Sequence, residues 1–176
     1  MACSITTTGR ALPCKTALGG IKNVWIGVDA FPENGGLWGA VTTGAISDSA
    51  SAVVLKNFAC VKNASSFTQT INSSIENGTV FYEQVVSLVC NATTAADVNA
   101  LVDLGKTRLT IVAQDVNDAY WVVGHTRGSE LSGGSIATGA AIGDLSGFTL
   151  EFTAQEATPA PSGPSATGGN VTYTPV

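Results

Sequence analysis

Apolar and polar positions along this chain fall into short alternating runs separated by glycine-rich loops, with one interruption at helical spacing. Residues 23–31 alternate, with Val24, Ile26 and Val28 on one face and Trp25 and Phe31 on the other, the pattern of a strand with two usable faces. A second strand is expected over 51–61, with a bulge at Asn57 or Phe58, and a third, rich in Ser and Thr, over 66–75. Glu76-Asn77-Gly78 is a turn, and Asn-Gly is among the strongest short-range hairpin signals, so 66–75 should pair with the long β-branched and aromatic run 79–90. Residues 94–106 then switch period: Val98, Leu101, Val102 and Gly105 share one helical face, Thr94 is placed to cap the start with Asp97 three residues on, and Gly105 suits the end. So short a helix must lie against a sheet. Residues 108–115 and 119–124 form a further hairpin around Asp115–Asp118, and a firm strand runs from 148 toward 156.

Between these elements lie stretches read as loops. Residues 32–50 are rich in Gly and small residues and carry Leu37 and Trp38, and 125–147 form a long Gly-rich loop. Residues 1–22 read as an irregular arm, and 157–170 as a flexible linker before a short alternating strand at 171–174. The expectation is mainly β: an antiparallel β-sandwich or barrel of seven to eight strands, with one flanking α-helix, long Gly-rich loops and extended termini. It places one β domain over 1–156, opened by the arm 1–22, and a flexible C-terminal extension over 157–176 with its short terminal strand.

Composition sharpens this picture. A hydrophobic fraction of 44% is enough for a core, while charged residues make up only 12%, about half the usual share for soluble domains. So pale a surface is either kept soluble by Ser, Thr and Asn or covered by partners. The net charge of -5 argues against nucleic-acid binding through a basic patch. After Arg127 no Lys or Arg occurs, while Glu130, Asp144, Glu151 and Glu156 remain. An acidic surface repels DNA, which suits a path along which DNA must slide without sticking. No apolar run is long enough to span a bilayer, so no membrane insertion is expected, and the first residues lack the pattern of a secretory signal. Cys3, Cys14, Cys60 and Cys90 contain no C-x-x-C pair and read as reduced thiols, with Cys3–Cys14 and Cys60–Cys90 left open as disulfides. Five N-x-S/T sequons, starting at Asn63, Asn72, Asn77, Asn91 and Asn170, are what so Asn-, Ser- and Thr-rich a chain contains by chance.

The chemistry of catalysis is sparse. His125 is the single histidine and sits in a loop; Asp115 and Asp118 lie on a turn, where Asp favours local hydrogen bonds over acid–base work. No phosphate-binding loop, nucleophile elbow or calcium loop is present. The reading is therefore no enzyme, no cofactor and no metal.

Taken in order, ENGTVFYEQVVSLVCN, the helix TAADVNALVDLGK, then RLTIVAQDVNDAYWVVG and GFTLEFTAQEATPA resemble the long strand, flanking helix, central hairpin and closing strand of the major tail tube proteins of tailed bacteriophages. The opening GRALPCKTALGGIKNVWI is similar to the start of phage virion structural proteins. The resemblance covers most of residues 15–160. It implies a β-barrel-like subunit that forms hexameric rings, stacked into a hollow conduit for genome delivery, in the tail of a virion assembled in the host cytoplasm. The partners it implies are other copies of the chain, sheath, tail terminator and baseplate proteins, and DNA in transient, non-specific passage.

On that reading Leu37 and Trp38 are candidates for contact with an adjacent or stacked subunit, the alternative being that Trp38 folds back on its own core. Val171 and Tyr173 are candidates for docking on a neighbour's open edge, and Glu76 and Glu83 for facing the lumen. Three other readings stand beside it. They are a capsid decoration or other virion structural protein, a secreted β-sandwich binding module using the terminal strand for exchange, and an enzyme whose pocket gathers Asp115, Asp118 and His125.

Overall fold

The computed structural model describes residues 17–28, 38, 41, 44–46, 53–59, 61, 63–163 and 171–174. Leu37, Phe31, Cys3, Cys14, Cys60, most of the arm 1–22 and most of the loop 32–50 lie outside the described residues.

The described residues form a β-sandwich with one helix. Nine strands are described: β1 (Ile21–Val28), β2 (Val53–Phe58), β3 (Ser66–Ser74), β4 (Thr79–Asn91), β5 (Leu109–Asp115), β6 (Tyr120–Val123), β7 (Glu130–Ala137), β8 (Gly147–Glu156) and β9 (Val171–Thr174). The helix α1 (Ala95–Leu104) lies between β4 and β5. Sheet I has the order β6-β5-β1-β2-β9, and sheet II the order β3-β4-β8-β7. All described pairings are antiparallel except β2 with β9.

The sandwich core lies between the sheets. Period-two alternation points Val86, Leu88 and Cys90 of β4, and Phe148, Leu150, Phe152 and Ala154 of β8, toward Val24 and Ile26 of β1 and Leu109, Ile111 and Ala113 of β5. The helix closes this core with Leu104, which is buried, and Leu101, which is partly so. Val98 and Val102, assigned to the buried face from spacing, are 44% and 48% exposed; the face that packs is set by where β4 and β5 deliver the helix ends. Its start follows the sequence: Asp97 N–H donates to Thr94 Oγ1 at 3.3 Å, and Thr94 N–H donates to Asp97 Oδ2 at 2.7 Å. Gly105 ends the helix with φ −74, so no left-handed cap is used.

A second core covers the other face of sheet I. Trp25, Leu55, Val112, Val122 and Val171 gather there with Trp38 and Ile46, and Tyr120 and Tyr173 pack against them. Tyr120 and Tyr173 belong to strands at opposite ends of the sheet order, yet their ring centroids are 6.1 Å apart, so sheet I curls strongly around this cluster.

Two sequence expectations are corrected. The loop 125–147 contains a strand, β7, which pairs with β8 along nearly its whole length, with one irregularity between Leu131 and Gly133. Gly133, Gly134 and small neighbours hid its alternation. Residues 157–163 are not a free-standing linker: Val122 N–H donates to Pro161 O at 3.0 Å, Gly163 N–H to Tyr120 O at 2.8 Å and Ile46 N–H to Ser162 O at 2.8 Å. These bonds, with the burial of Ala160 and Pro161, tie the start of the expected extension into the domain.

Candidate functional site: the outward face and edges of sheet II

Because Val86, Leu88 and Cys90 point inward, their odd-numbered neighbours on β4 point outward. The registers then assemble one face: Thr68 opposite Val85, Thr70 opposite Glu83, Gln155 opposite Glu83, Glu151 opposite Ser87 and Thr149 opposite Val89. Glu130 joins it opposite Thr153, and Ser135 opposite Thr149. The face is carpeted with hydroxyls that bond to one another: Ser135 Oγ lies 2.8 Å from Thr149 Oγ1, Thr153 Oγ1 donates to Ser132 Oγ at 3.0 Å, and Ser132 Oγ donates to Glu151 O at 3.0 Å. Glu83, Glu130 and Glu151 supply negative charge, and none of the four strands contains a Lys or Arg. Beside Val85 and Val89, the face presents bonded hydroxyls and carboxylates and no cation, so it offers a polyanion no counter-charge.

Both edges of this sheet are bare among the described residues: β3 pairs with β4 alone, and β7 with β8 alone. Neither carries Lys, Arg or Pro, the residues with which monomeric proteins commonly blunt an edge. The β3–β4 hairpin also overhangs. Pairing with β8 begins only at Tyr82; Ile71 opposite it is 63% exposed, and beyond it Ile75, Val80 and Phe81 are 97%, 53% and 38% exposed. At the opposite end of the sheet the β7–β8 loop exposes Ile142 and Leu145.

Beneath the face, buried polar groups fix the sheet to the crossover from sheet I. Gln84, fully buried, accepts the Gly124 N–H through Oε1 at 3.1 Å. Glu156, 2% exposed, accepts from Thr126 N–H at 3.0 Å and Arg127 N–H at 2.7 Å. The turn they hold is tight: Gly124 has φ 69, and a Cβ there would sit 2.4 Å from the Gly128 carbonyl carbon. Burial pushes the neighbouring His125 imidazole below its ordinary value, with the Glu156 carboxylate pulling the other way.

The sequence candidates are distributed unevenly around this site. Glu83 lies on the outward face, half-buried, and Glu76 is exposed at the hairpin tip. Trp38 follows the alternative given for it: it is 5% exposed, and its Nε1 donates to Thr110 Oγ1 at 2.8 Å, so it packs within its own chain. Val171 and Tyr173 lie in the same cluster, with Tyr173 edge-on to Trp25 at 4.9 Å and burial pushing its phenol pKa up. Their strand docks on β2 of its own chain, Val171 opposite Val53 and Thr174 opposite Lys56, in place of the neighbour's edge proposed for it. The physical reason is the apolar cluster, which buries their side chains within this molecule.

Sequence reasoning missed Glu130 and Glu151 as companions of Glu83. A readable signal existed: residues 63–105 contain no Lys or Arg, so the β3–β4 hairpin shares the cation-free character noted after Arg127.

Asp115, Asp118 and His125 do not converge. Asp115 Oδ1 accepts the Ala119 N–H at 2.8 Å, and Asp118 Oδ1 accepts from Lys22 Nζ at 2.8 Å and Gln114 Nε2 at 2.9 Å, before β6; His125 follows β6 at its other end. Among the described residues no group of three His, Cys, Asp or Glu side chains comes together as a metal site. No helix is long and apolar enough to cross a membrane among the described residues. No family model, no curated protein and no solved structure matches this chain.

Proposed function

We propose that the chain is a structural subunit of a bacteriophage tail tube, forming rings, hexameric by the family resemblance, that stack into a hollow conduit for genome delivery. The observation that carries this reading is the combination, in one sheet, of a cation-free acidic outward face and two edges that are bare among the described residues. A β3 edge on one copy meeting a β7 edge on the next is a heterologous contact, and repetition of such a contact closes a ring when the rotation allows. The joined sheets then present Glu83, Glu130 and Glu151 to one continuous surface, a wall for DNA to slide past. The overhanging hairpin and the Ile142 loop, at opposite ends of that sheet, serve contacts between stacked rings. Partners in this reading are other copies, sheath, tail terminator and baseplate proteins, in a virion tail assembled in the host cytoplasm; no catalysis, cofactor or metal is part of it.

A second reading, a capsid decoration or other virion structural protein, is favoured by the terminal strand docked on its own chain, which lets the subunit stand alone. Negative-stain electron microscopy of the concentrated protein separates the two. Rings or tubes with a central channel are expected; compact monomers, with the protein found on heads in particles from infected cells, would replace the tube with the decoration reading.

A further inference from the structure

The hairpin tip carries a chemistry of its own. Ile75, Glu76, Asn77 and Gly78 form the turn between Ser74 and Thr79, the last pair of the β3–β4 ladder, and all four are exposed. Asn77 N–H donates to Ser74 Oγ at 3.3 Å, and among the described residues no hydrogen bond holds the Asn77 side-chain amide. Gly78 follows with φ 61, and the space where its Cβ would stand is empty. Glycine is the residue that least obstructs attack by its own backbone nitrogen, because no side chain shields that nitrogen and the main chain turns easily around it.

The geometry points to Asn77 as a site of spontaneous succinimide formation and deamidation. The Gly78 backbone nitrogen, losing its proton, attacks Asn77 Cγ; the new N–Cγ bond closes a five-membered imide, and the side-chain amide leaves as ammonia. Water then opens the ring at either carbonyl. Opening at one returns an ordinary aspartate, and opening at the other gives isoaspartate, in which the main chain runs through the former side chain. No oxidant, enzyme or cofactor is needed. Either product places a new carboxylate beside Glu76, and isoaspartate also lengthens the backbone of a turn on which the register of Ile71, Ile75, Val80 and Phe81 depends.

Two neighbours serve as internal references. Asn72 precedes Ser73 inside β3 and is held by the ladder opposite Phe81, and Asn117 sits in an exposed turn but bonds Leu18 O at 2.8 Å through its side chain. The experiment is incubation of the dilute, unassembled full chain in mildly alkaline buffer, followed by peptide mapping with fragmentation and by isoaspartyl methyltransferase labelling. A parallel sample is held in guanidinium chloride, and an Asn77→Gln variant, which cannot close the five-membered ring, is carried alongside. Conversion at Asn77 should run roughly tenfold faster than at Asn72 in the folded chain, because an exposed tip samples open geometries that a laddered strand does not. Labelling at this tip should vanish in Asn77→Gln. Conversion of Asn77 in denaturant but not in the folded chain would show that the turn holds the two atoms apart, and would overturn the proposal, as would equal rates at Asn77 and Asn72 under folding conditions.

Discussion

The two sheets of this molecule are made from the same kinds of strand and treated in opposite ways. Sheet I packs on both faces at β1 and β5, gathers Trp25, Trp38, Tyr120 and Tyr173, and has its β6 edge covered by residues 161–163, while β9, paired with β2, is its other edge strand. Sheet II is buried on one face only, shows hydroxyls and carboxylates on the other, and leaves both edge strands bare among the described residues. A sheet packed on both sides of its centre within its own chain contributes stability. A sheet left with open hydrogen-bonding rows and a uniform charge is equipped for other molecules. Sheet I is thus the monomer's foundation, and sheet II the part that, on the proposed reading, meets copies and cargo.

Three experiments sharpen or break this contrast. The largest effect on stability is expected from the outward-facing side of sheet I, because that side is core. Trp25→Ala should cost about 3–5 kcal/mol, whereas Thr68→Ala, on the outward side of sheet II, should stay within about 0.5 kcal/mol. Denaturant midpoints measure both, and similar losses would erase the distinction. Next comes the edge of sheet II. Ile136→Lys on β7, at a side chain 57% exposed, should leave the melting temperature nearly unchanged while abolishing rings in electron micrographs, since an edge lysine opposes strand addition. Rings that persist would move the contact away from β7.

The smallest effect lies at the seam between the sheets. His125 is held below its ordinary value of 6.5 by burial, so the fold favours the neutral ring. Its contribution is complete above pH 6.5 and is lost as pH falls from there toward the folded value, because the unfolded chain takes up the proton more readily. Asp97 and Asp144, through backbone hydrogen bonds, and Asp118, through Lys22, are held below 3.8; what they add is present above that pH and lost below it. Stability should therefore fall in two acid steps, and His125→Asn should remove the upper one. A single step shared by both proteins would contradict a half-buried imidazole held neutral by the fold.

Local order was legible where local chemistry dictates it. Asn77-Gly78 and the alternation on either side fix the β3–β4 hairpin, Thr94 and Asp97 fix the start of α1, and the Asp115–Asp118 turn fixes the β5–β6 hairpin. What failed depended on distant partners. β7 carries two glycines and no clear alternation, and is a strand because β8 lies beside it. Trp38 was ambiguous because a bulky residue in a glycine-rich loop reads alike whether it packs inward or outward; Thr110, far away in the chain, supplies the acceptor that turns it inward. The division of strands between two sheets was equally hidden, since β1 takes β2 and β5 as neighbours across long intervals of sequence. Of the candidate site, strand period put Glu83 on one face of its strand without saying which, and the register of β4, β7 and β8 supplies the face and brings Glu130 and Glu151 to it.

The arrangement of sheet I also sets an order of events during synthesis. Its central strand β1 is made before every other described strand, but residues 161–163 and β9, which pair with β6 and β2, are made after all the rest. Until they emerge, the Trp25 cluster lacks Val171 and Tyr173, and the rows of β6 and β2 are open to any strand nearby. The growing polypeptide is therefore open to wrong pairing until β9 has been made, and residues 161–163 with β9 act as the clasp that ends that exposure.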